Sequence, residues 1–154
     1  MMGDAAHGGY TVTGPGEAAA LEVWAPDLPA LFENAARALF TLIAGEEPFA
    51  RETPPNHGDG TDPVTRRLEI GGRSPVELLT EWLNILNATH KFHHELYLEY
   101  TLTVTENRVS ASVDGIPIDP ERHDIRVVVR NVTYKGVALD RTDEGHRACI
   151  GLDV

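Results

Sequence analysis

The sequence predicts a single-domain α+β sandwich in which two helices pack on a mostly antiparallel or mixed β-sheet. Three observations lead to this prediction. Two segments carry apolar residues at helical spacing, the period changes from 3.6 to 2 after the second segment, and turn residues separate further strand-like runs. A length of 154 residues suits one continuous core. We therefore expect one α+β domain over residues 1–154.

The first helix is predicted to follow Asp27, whose carboxylate can accept a hydrogen bond from the free N–H groups of a first turn. Pro29 suits that turn because its position needs no N–H donor. Gly45 is the expected end of the helix. Apolar residues recur between these points at spacings of three and four, which places them on one face: Leu28, Leu31, Phe32, Ala35, Leu39 and Leu42.

The second helix is predicted to begin at Ser74, which forms a capping box with Glu77. Apolar residues at helical spacing follow: Leu78, Leu79, Trp82, Leu83, Ile85 and Leu86. Between the two helices, residues 46–63 contain four prolines and two glycines. This composition predicts a flexible loop.

Strand candidates occupy much of the remaining chain. They are residues 10–13, 21–24, 66–70, 96–104, 108–113 and 124–132, and a final hairpin of 134–139 with 147–153 that turns near 143–145. Within 124–132, Ile125, Val127 and Val129 occupy alternate positions and are expected to share one face.

The charge balance narrows the classes of partner. Asp and Glu number 24 against 13 Lys and Arg, a formal charge of −11. Such a chain repels phosphate backbones, so direct nucleic-acid binding is not expected without a local basic patch. The negative charge would attract a basic protein or a divalent cation. It is equally expected if its only role is to keep the protein soluble. No run approaches the ~20 apolar residues of a membrane helix. With no signal-peptide pattern and one cysteine, we expect a cytoplasmic protein.

Candidate chemistry is sparse. The histidines at 90, 93 and 94 could place two imidazoles on one helical face, but no companion cysteine or HExxH motif supports zinc. We expect a solvated segment just past the second helix instead. Cys149 lies in a predicted strand and is expected to be a buried packing residue. His123 and Asp124 could form an acid–base pair, although a turn at 119–121 before a strand is favoured. We expect no catalytic residues, and hence no enzyme.

The chain ends in Asp153 and Val154. The aspartate, the last carbonyl and the terminal carboxylate are hard oxygen donors of the kind that calcium or magnesium prefers. A solvated terminal aspartate is the simpler alternative, and spacing alone favours it.

Four segments, in order across residues 21–154, resemble the archease family. Residues 21–40 (LEVWAPDLPALFENAARALF) resemble a strand, a turn and a helix close to LFENAALALF, and 77–84 (ELLTEWLN) resemble LLYEWLNEL. PERH at 120–123 with RNVTYKGV at 130–137 resembles PERH…KAVTYHGL. The ending DEG…IGLDV resembles DDGW…VIVDI.

The resemblance implies an accessory role. Archeases help an RtcB-type tRNA-splicing RNA ligase to turn over, by promoting its guanylylation and positioning its metal ions, and do not ligate RNA themselves. It therefore implies an RNA ligase protein as partner, with His123 and Arg130 in the matched segments as partner-binding residues. The family's divalent ion, typically calcium, is held by an N-terminal HTAD aspartate, the penultimate aspartate and the terminal residue. Asp153 and Val154 match the last two.

The N-terminal half of that ion site departs from the family pattern. Residues 15–18 (PGEA) stand where HTAD is expected, and Glu17 is one position off, so it could serve only if the strand bulges. Two main hypotheses follow. One is a ligase accessory protein with Asp153, Val154 and Glu17 as candidate calcium ligands, and the other is a metal-free binding or scaffold module for a basic protein. A metalloenzyme built on the histidines at 90–94 is a third.

Overall fold

A computed structural model describes residues 8–13, 19–45, 63–121 and 123–154. The elements in these ranges are, in chain order, β1 (Gly9–Thr13), β2 (Ala20–Ala25), α1 (Leu28–Ala44), β3 (Val64–Gly71), α2 (Pro75–His93), β4 (Glu95–Val104), β5 (Arg108–Pro117), β6 (Asn131–Thr142) and β7 (Gly145–Asp153). The loop predicted at 46–63 lies outside the described residues except for Pro63. In the described part of the chain, neither helix is long and apolar enough to cross a bilayer.

The strands form two sheets, and every described pairing is antiparallel. Sheet A has the order β1-β2-β7-β6, and sheet B has the order β3-β5-β4. Each helix contacts strands of both sheets, so the helical layer lies between them. The predicted α+β class is confirmed, and the structure adds the division of the strands into two sheets.

Helix α1 begins and ends where its sequence predicts. The Asp27 carboxylate accepts a hydrogen bond from the Ala30 N–H at 2.9 Å, and Gly45 follows the last turn with φ at 78°. Ala36, Phe40 and Ala44 lie outside the predicted apolar face and are also buried. They are buried because the helix contacts a sheet on each side.

Helix α2 starts at Ser74, whose hydroxyl accepts from the Glu77 N–H at 3.2 Å. The Glu77 carboxylate accepts from the Arg73 N–H, one residue before the serine. The helix then extends to His93, and His94 ends it in the left-handed conformation. The expectation of a solvated segment past the helix is therefore wrong about where the helix ends and about His90, whereas Lys91 and Phe92 are exposed as expected. Residues 90–93 form the last turn of the helix, and His90 is only 6% exposed.

The strand predicted at 124–132 is wrong for residues 124–130, which belong to neither sheet. Their backbone is bonded elsewhere: the Arg126 N–H donates to the Ile43 carbonyl at 2.7 Å, and the Val129 carbonyl accepts from side chains of α2. The predicted alternation does hold, since Val127 and Val129 are buried and Val128 is exposed. Alternation therefore predicted burial correctly and strand pairing wrongly.

The final hairpin is confirmed, and it places the chain terminus inside sheet A. Strand β7 pairs with β6 on one side and with β2 on the other. Ala20 lies opposite Gly151, and the Leu152 N–H donates to the Ala19 carbonyl at 3.1 Å. The end of β7 thus lies beside the start of β2, next to Ala19, which is the first residue of the described range 19–45.

Asn84 links α2 to β6 through two hydrogen bonds. Its amide donates to the Val132 carbonyl and accepts from the Val132 N–H, both at 2.8 Å. We expect Asn84→Ala to lower the free energy of unfolding by about 2 kcal/mol, because two partly buried backbone groups lose their partners. Urea denaturation followed by circular dichroism measures this.

Asn107→Ala, in the exposed β4–β5 turn, is the matched control and should change stability by no more than about 0.5 kcal/mol. An Asn84→Ala protein that unfolds at the wild-type midpoint would contradict the role given to Asn84.

Candidate functional site

The structure brings two predicted site residues together at the C-terminal end of β7. The Arg130 N–H donates to the Asp153 carbonyl at 2.7 Å, and Asn131 lies opposite Asp153 in the β6–β7 ladder. The side chains of Arg130 and Asp153 are exposed, and Val154 is half-buried. An exposed cationic side chain and an exposed carboxylate therefore lie at one sheet end.

A polar stripe on α2 positions this end of the sheet. Asn84, Asn87 and Lys91 lie three and four residues apart, on one helical face. The Asn87 amide donates to the Val129 carbonyl at 2.7 Å, and the Lys91 ammonium donates to the same oxygen at 3.0 Å. Sequence reasoning missed these residues, although polar side chains at helical spacing among apolar ones were the available signal.

Exposed cations and apolar side chains lie together beside that stripe. Arg126, Val128 and Arg130 point outward where the intervening valines point into the core, and Val128 is 63% exposed. The Lys91 ammonium contacts the neighbouring Val129 carbonyl, and Phe92, the next residue of α2, is 80% exposed. We call Lys91, Arg126, Val128 and Arg130 the basic–apolar patch. The net charge of −11 does not predict such a local concentration of cations.

The guanidinium of Arg126 lies against Gly45 at the C-terminus of α1. A cation is favoured there because the last carbonyl groups of a helix carry partial negative charge.

The candidate calcium ligands are only partly described. Asp153 and Val154 supply hard oxygen atoms at the surface, whereas Glu17 lies outside the described residues. Across residues 8–13, 19–45, 63–121 and 123–154, no three His, Cys, Asp or Glu side chains are grouped so that they could hold a metal ion. Calcium takes six to eight oxygen ligands, so the described donors fit one part of such a site.

The three imidazoles near the end of α2 occupy different environments. The His90 Nδ1 lies 2.7 Å from the Glu95 carbonyl, which can only accept, so this nitrogen carries the proton. Burial lowers the pKa of His90, and its ring packs edge-on against Phe40. The His93 ring packs against Phe92, and His94 is exposed. The rings do not converge on one point.

His123 lies in a tight turn with Asp119. Its N–H donates to the Asp119 carbonyl at 2.7 Å, and its Nδ1 accepts from the Asp119 N–H at 2.9 Å. The predicted turn before residue 124 is confirmed. Since Nδ1 is an acceptor here, Asp124 does not hold the imidazole through that nitrogen.

Cys149 is not the buried packing residue that the sequence predicts. It is exposed on the outer face of sheet A, and its Sγ lies 3.9 Å from a Glu22 carboxylate oxygen. The prediction of a buried packing residue is wrong because the odd-numbered residues of β7 face outward and the even-numbered Ala148 and Ile150 face the core.

A buried charged network links sheet B to the end of α2. The Arg66 guanidinium donates to both carboxylate oxygens of Glu95, at 3.0 and 2.7 Å, and the Tyr97 hydroxyl donates to one of them at 2.7 Å. Glu95 is 4% exposed. The hydrogen bonds from Arg66 are the main cause that lowers the pKa of Glu95, and burial raises the pKa of Tyr97. The network is a structural support.

Comparisons with known proteins agree on one family. The model of the Archease protein family (MTH1598/TM1083) matches residues 19–154. The chain is 29% identical to the protein archease of Methanopyrus kandleri over 130 residues, which is 81% of this chain and 84% of that protein. It is 24% identical to the protein archease of Methanosarcina mazei over 129 residues, 80% of this chain and 81% of that protein.

One solved structure is similar in fold. The solution structure of Methanobacterium thermoautotrophicum protein 1598 superposes with a TM-score of 0.74 at 24% identity, covering 95% of this chain and 99% of that one. The family model begins at Ala19, so its match does not extend to Glu17.

The Glu95 network generates a pH-dependent prediction. A carboxyl whose pKa is lowered on folding stabilises the protein above its ordinary value of 4.5, and this contribution is lost as pH falls through the folded value. We expect Glu95→Gln to lower the free energy of unfolding near neutral pH by about 2 kcal/mol, because Arg66 and Tyr97 lose a buried charged acceptor. At about pH 3 the difference should shrink.

Urea denaturation at both pH values measures this difference. Glu69→Gln removes the exposed partner of Arg108 on the same sheet and should change stability little. A Glu95→Gln penalty that stays constant with pH would show that the native carboxylate charge is not what stabilises the fold.

Proposed function

Since the chain belongs to the archease family, we propose that it is an accessory protein that promotes the turnover of a tRNA-splicing RNA ligase. In this role it promotes guanylylation of the ligase and positions a metal ion, and it catalyses no ligation itself. The adjacency of Arg130 and Asp153 is the observation that carries the proposal. These residues occupy the positions that resemble the family's KAVTY lysine and penultimate aspartate.

The chemistry of the proposed step suits these groups. Guanylylation transfers a nucleotidyl group, and negative charge develops on its phosphate oxygens. Arginine donors and divalent cations are the groups that stabilise such charge. Arg130 is exposed and supplies an arginine donor. Asp153 and Val154 would supply some of the oxygen ligands of a calcium ion.

The basic–apolar patch gives the proposed partner a surface to contact. It includes Arg130, so a ligase that contacts Arg130 would also contact Val128, two residues away, which is 63% exposed in this chain. His123, in the turn that precedes this segment, is proposed as a further contact.

The overall charge favours a second candidate function. A chain of net charge −11 attracts basic proteins, so a metal-free binding or scaffold module remains the alternative. The two candidates differ in whether a divalent ion binds at the C-terminus.

Ligase turnover tests the first candidate. We expect the cognate RNA ligase, with GTP and a divalent ion, to complete more cycles of joining when this protein is present in equimolar amount. Arg130→Ala should reduce the stimulation by about tenfold, because a charge-assisted hydrogen bond is lost, and Arg130→Lys should restore part of it. The readout is joined RNA per ligase against time.

Arg108→Ala, on the outer face of sheet B, makes the same change in charge and should leave stimulation at the wild-type level. If the ligase cycles at the same rate with and without the protein, the accessory function is rejected.

Calorimetry with calcium distinguishes the two candidates. We expect submillimolar binding by the wild-type chain and a loss of at least about tenfold in affinity for Asp153→Asn, because a charged oxygen ligand becomes neutral. Asp143→Asn in the β6–β7 turn is the matched control. An absence of binding heat in the wild type would reject the ion site and favour the metal-free module.

A further inference from the structure

A cavity of about 350 Å³ lies at the opposite end of β7 from Asp153. Its lining includes Glu22 and Trp24 from β2, and Glu144, His146 and Arg147 from the β6–β7 hairpin. Arg147 and Asp153 are six residues apart on one strand, which corresponds to roughly 20 Å. The cavity is therefore separate from the proposed ion site.

Trp24 provides an aromatic wall. It is 37% exposed, and it lies opposite Gly9 in the β1–β2 ladder. A Cβ atom on Gly9 would come within 3.1 Å of the indole ring, so the ring extends across β1 where no side chain intervenes. Among aromatic rings, an exposed indole face attracts a cation most strongly.

The protein's own Arg147 shows which chemistry this wall accommodates. The Arg147 guanidinium lies 6.0 Å from the Trp24 ring and donates to one Glu22 carboxylate oxygen at 3.2 and 2.7 Å. Both members of this ion pair are substantially exposed. Such pairs contribute little, because water and salt screen them. A second guanidinium could therefore replace Arg147 at small cost.

Carboxylates outnumber cations around the cavity. Glu144 lines it and makes no ion pair with the part of the chain that the structure describes. Asp140 lies opposite Arg147 and Arg141 lies opposite His146 in the β6–β7 ladder, so these two flanking charges offset each other. The lining itself carries two carboxylates, Glu22 and Glu144, beside one arginine, and a further cation would balance the second carboxylate.

We propose that this cavity binds an arginine side chain of a basic protein partner. A guanidinium is favoured over a lysine ammonium because its planar fork can lie along the Trp24 ring while it donates to carboxylates. The site does not depend on the ligase role proposed for the Arg130 and Asp153 end.

Titration with acetyl-Gly-Arg-Gly-amide, followed in ¹H–¹⁵N NMR spectra of the full chain, tests the proposal. We expect saturable shifts of the Trp24 indole in the millimolar range, several-fold weaker binding of the lysine peptide, and no binding of the glutamine peptide. The Trp82 indole, which donates to the Phe32 carbonyl in the core, should not move. Equal binding of the lysine or glutamine peptide, or no shift at Trp24, would overturn the assignment.

Three variants sharpen the result. Trp24→Leu should abolish binding, and Glu144→Gln should weaken it several-fold. Arg147→Ala should tighten it about two- to fivefold, since it removes the internal competitor for Trp24 and Glu22. An unchanged or weaker affinity for Arg147→Ala would refute the competition on which the proposal rests.

Glu99→Gln makes the same charge change on sheet B and should bind the arginine peptide as the wild type does. If Glu99→Gln lost as much affinity as Glu144→Gln, the loss would come from net charge alone, and a specific site would be rejected. Unmoved Trp82 resonances confirm that each variant is folded. Stimulation of the ligase by Glu144→Gln should match the wild type, so failure of either proposal leaves the other testable.

Discussion

The C-terminal strand depends on hydrogen bonding along both of its edges, and the rest of the molecule is arranged around this constraint. β7 lies between β2 and β6, with Ala148 and Ile150 buried in the core. Because β7 is an inner strand, Asp153 is fixed relative to the Arg130 backbone, whose N–H donates to its carbonyl.

The helical layer imposes the second constraint. The segment that leads into β6 does not join a sheet, yet its backbone polar groups need partners. The Asn87 amide and the Lys91 ammonium of α2 provide partners at Val129, and the Asn84 amide bonds to Val132 just inside β6. The same stripe that satisfies these groups therefore sets the position of Arg130 and Val128. The geometry of the candidate site is thus coupled to the packing of α2 between the sheets.

The two ends of β7 differ in electrostatic character. One end presents Arg126, Arg130 and Lys91 beside exposed apolar side chains, and the other surrounds Trp24 and Arg147 with carboxylates. Net charge averages over these regions and cannot distinguish them. An acidic chain can therefore offer a cationic surface to one partner and an anionic one to another, about 20 Å apart along a single strand.

The sequence by itself determined the elements whose signals are local. The caps at Asp27 and Ser74 and the helical spacing of apolar residues predicted both helices, because a cap and a turn are decided within four or five neighbours. Resemblance to a family selected Arg130 and Asp153 in advance. Alternation also predicted which of residues 125–129 are buried.

Only the tertiary structure decided what these elements pair with. Residues 124–130 alternate like a strand, yet Arg126 bonds to α1 and Val129 to α2, since pairing depends on groups far away in the chain. The contact of Arg66 with the buried Glu95 and the approach of the Arg147 guanidinium to the Trp24 ring join residues 29 and 123 positions apart. Each requires a sheet register and a layer order that no local pattern contains.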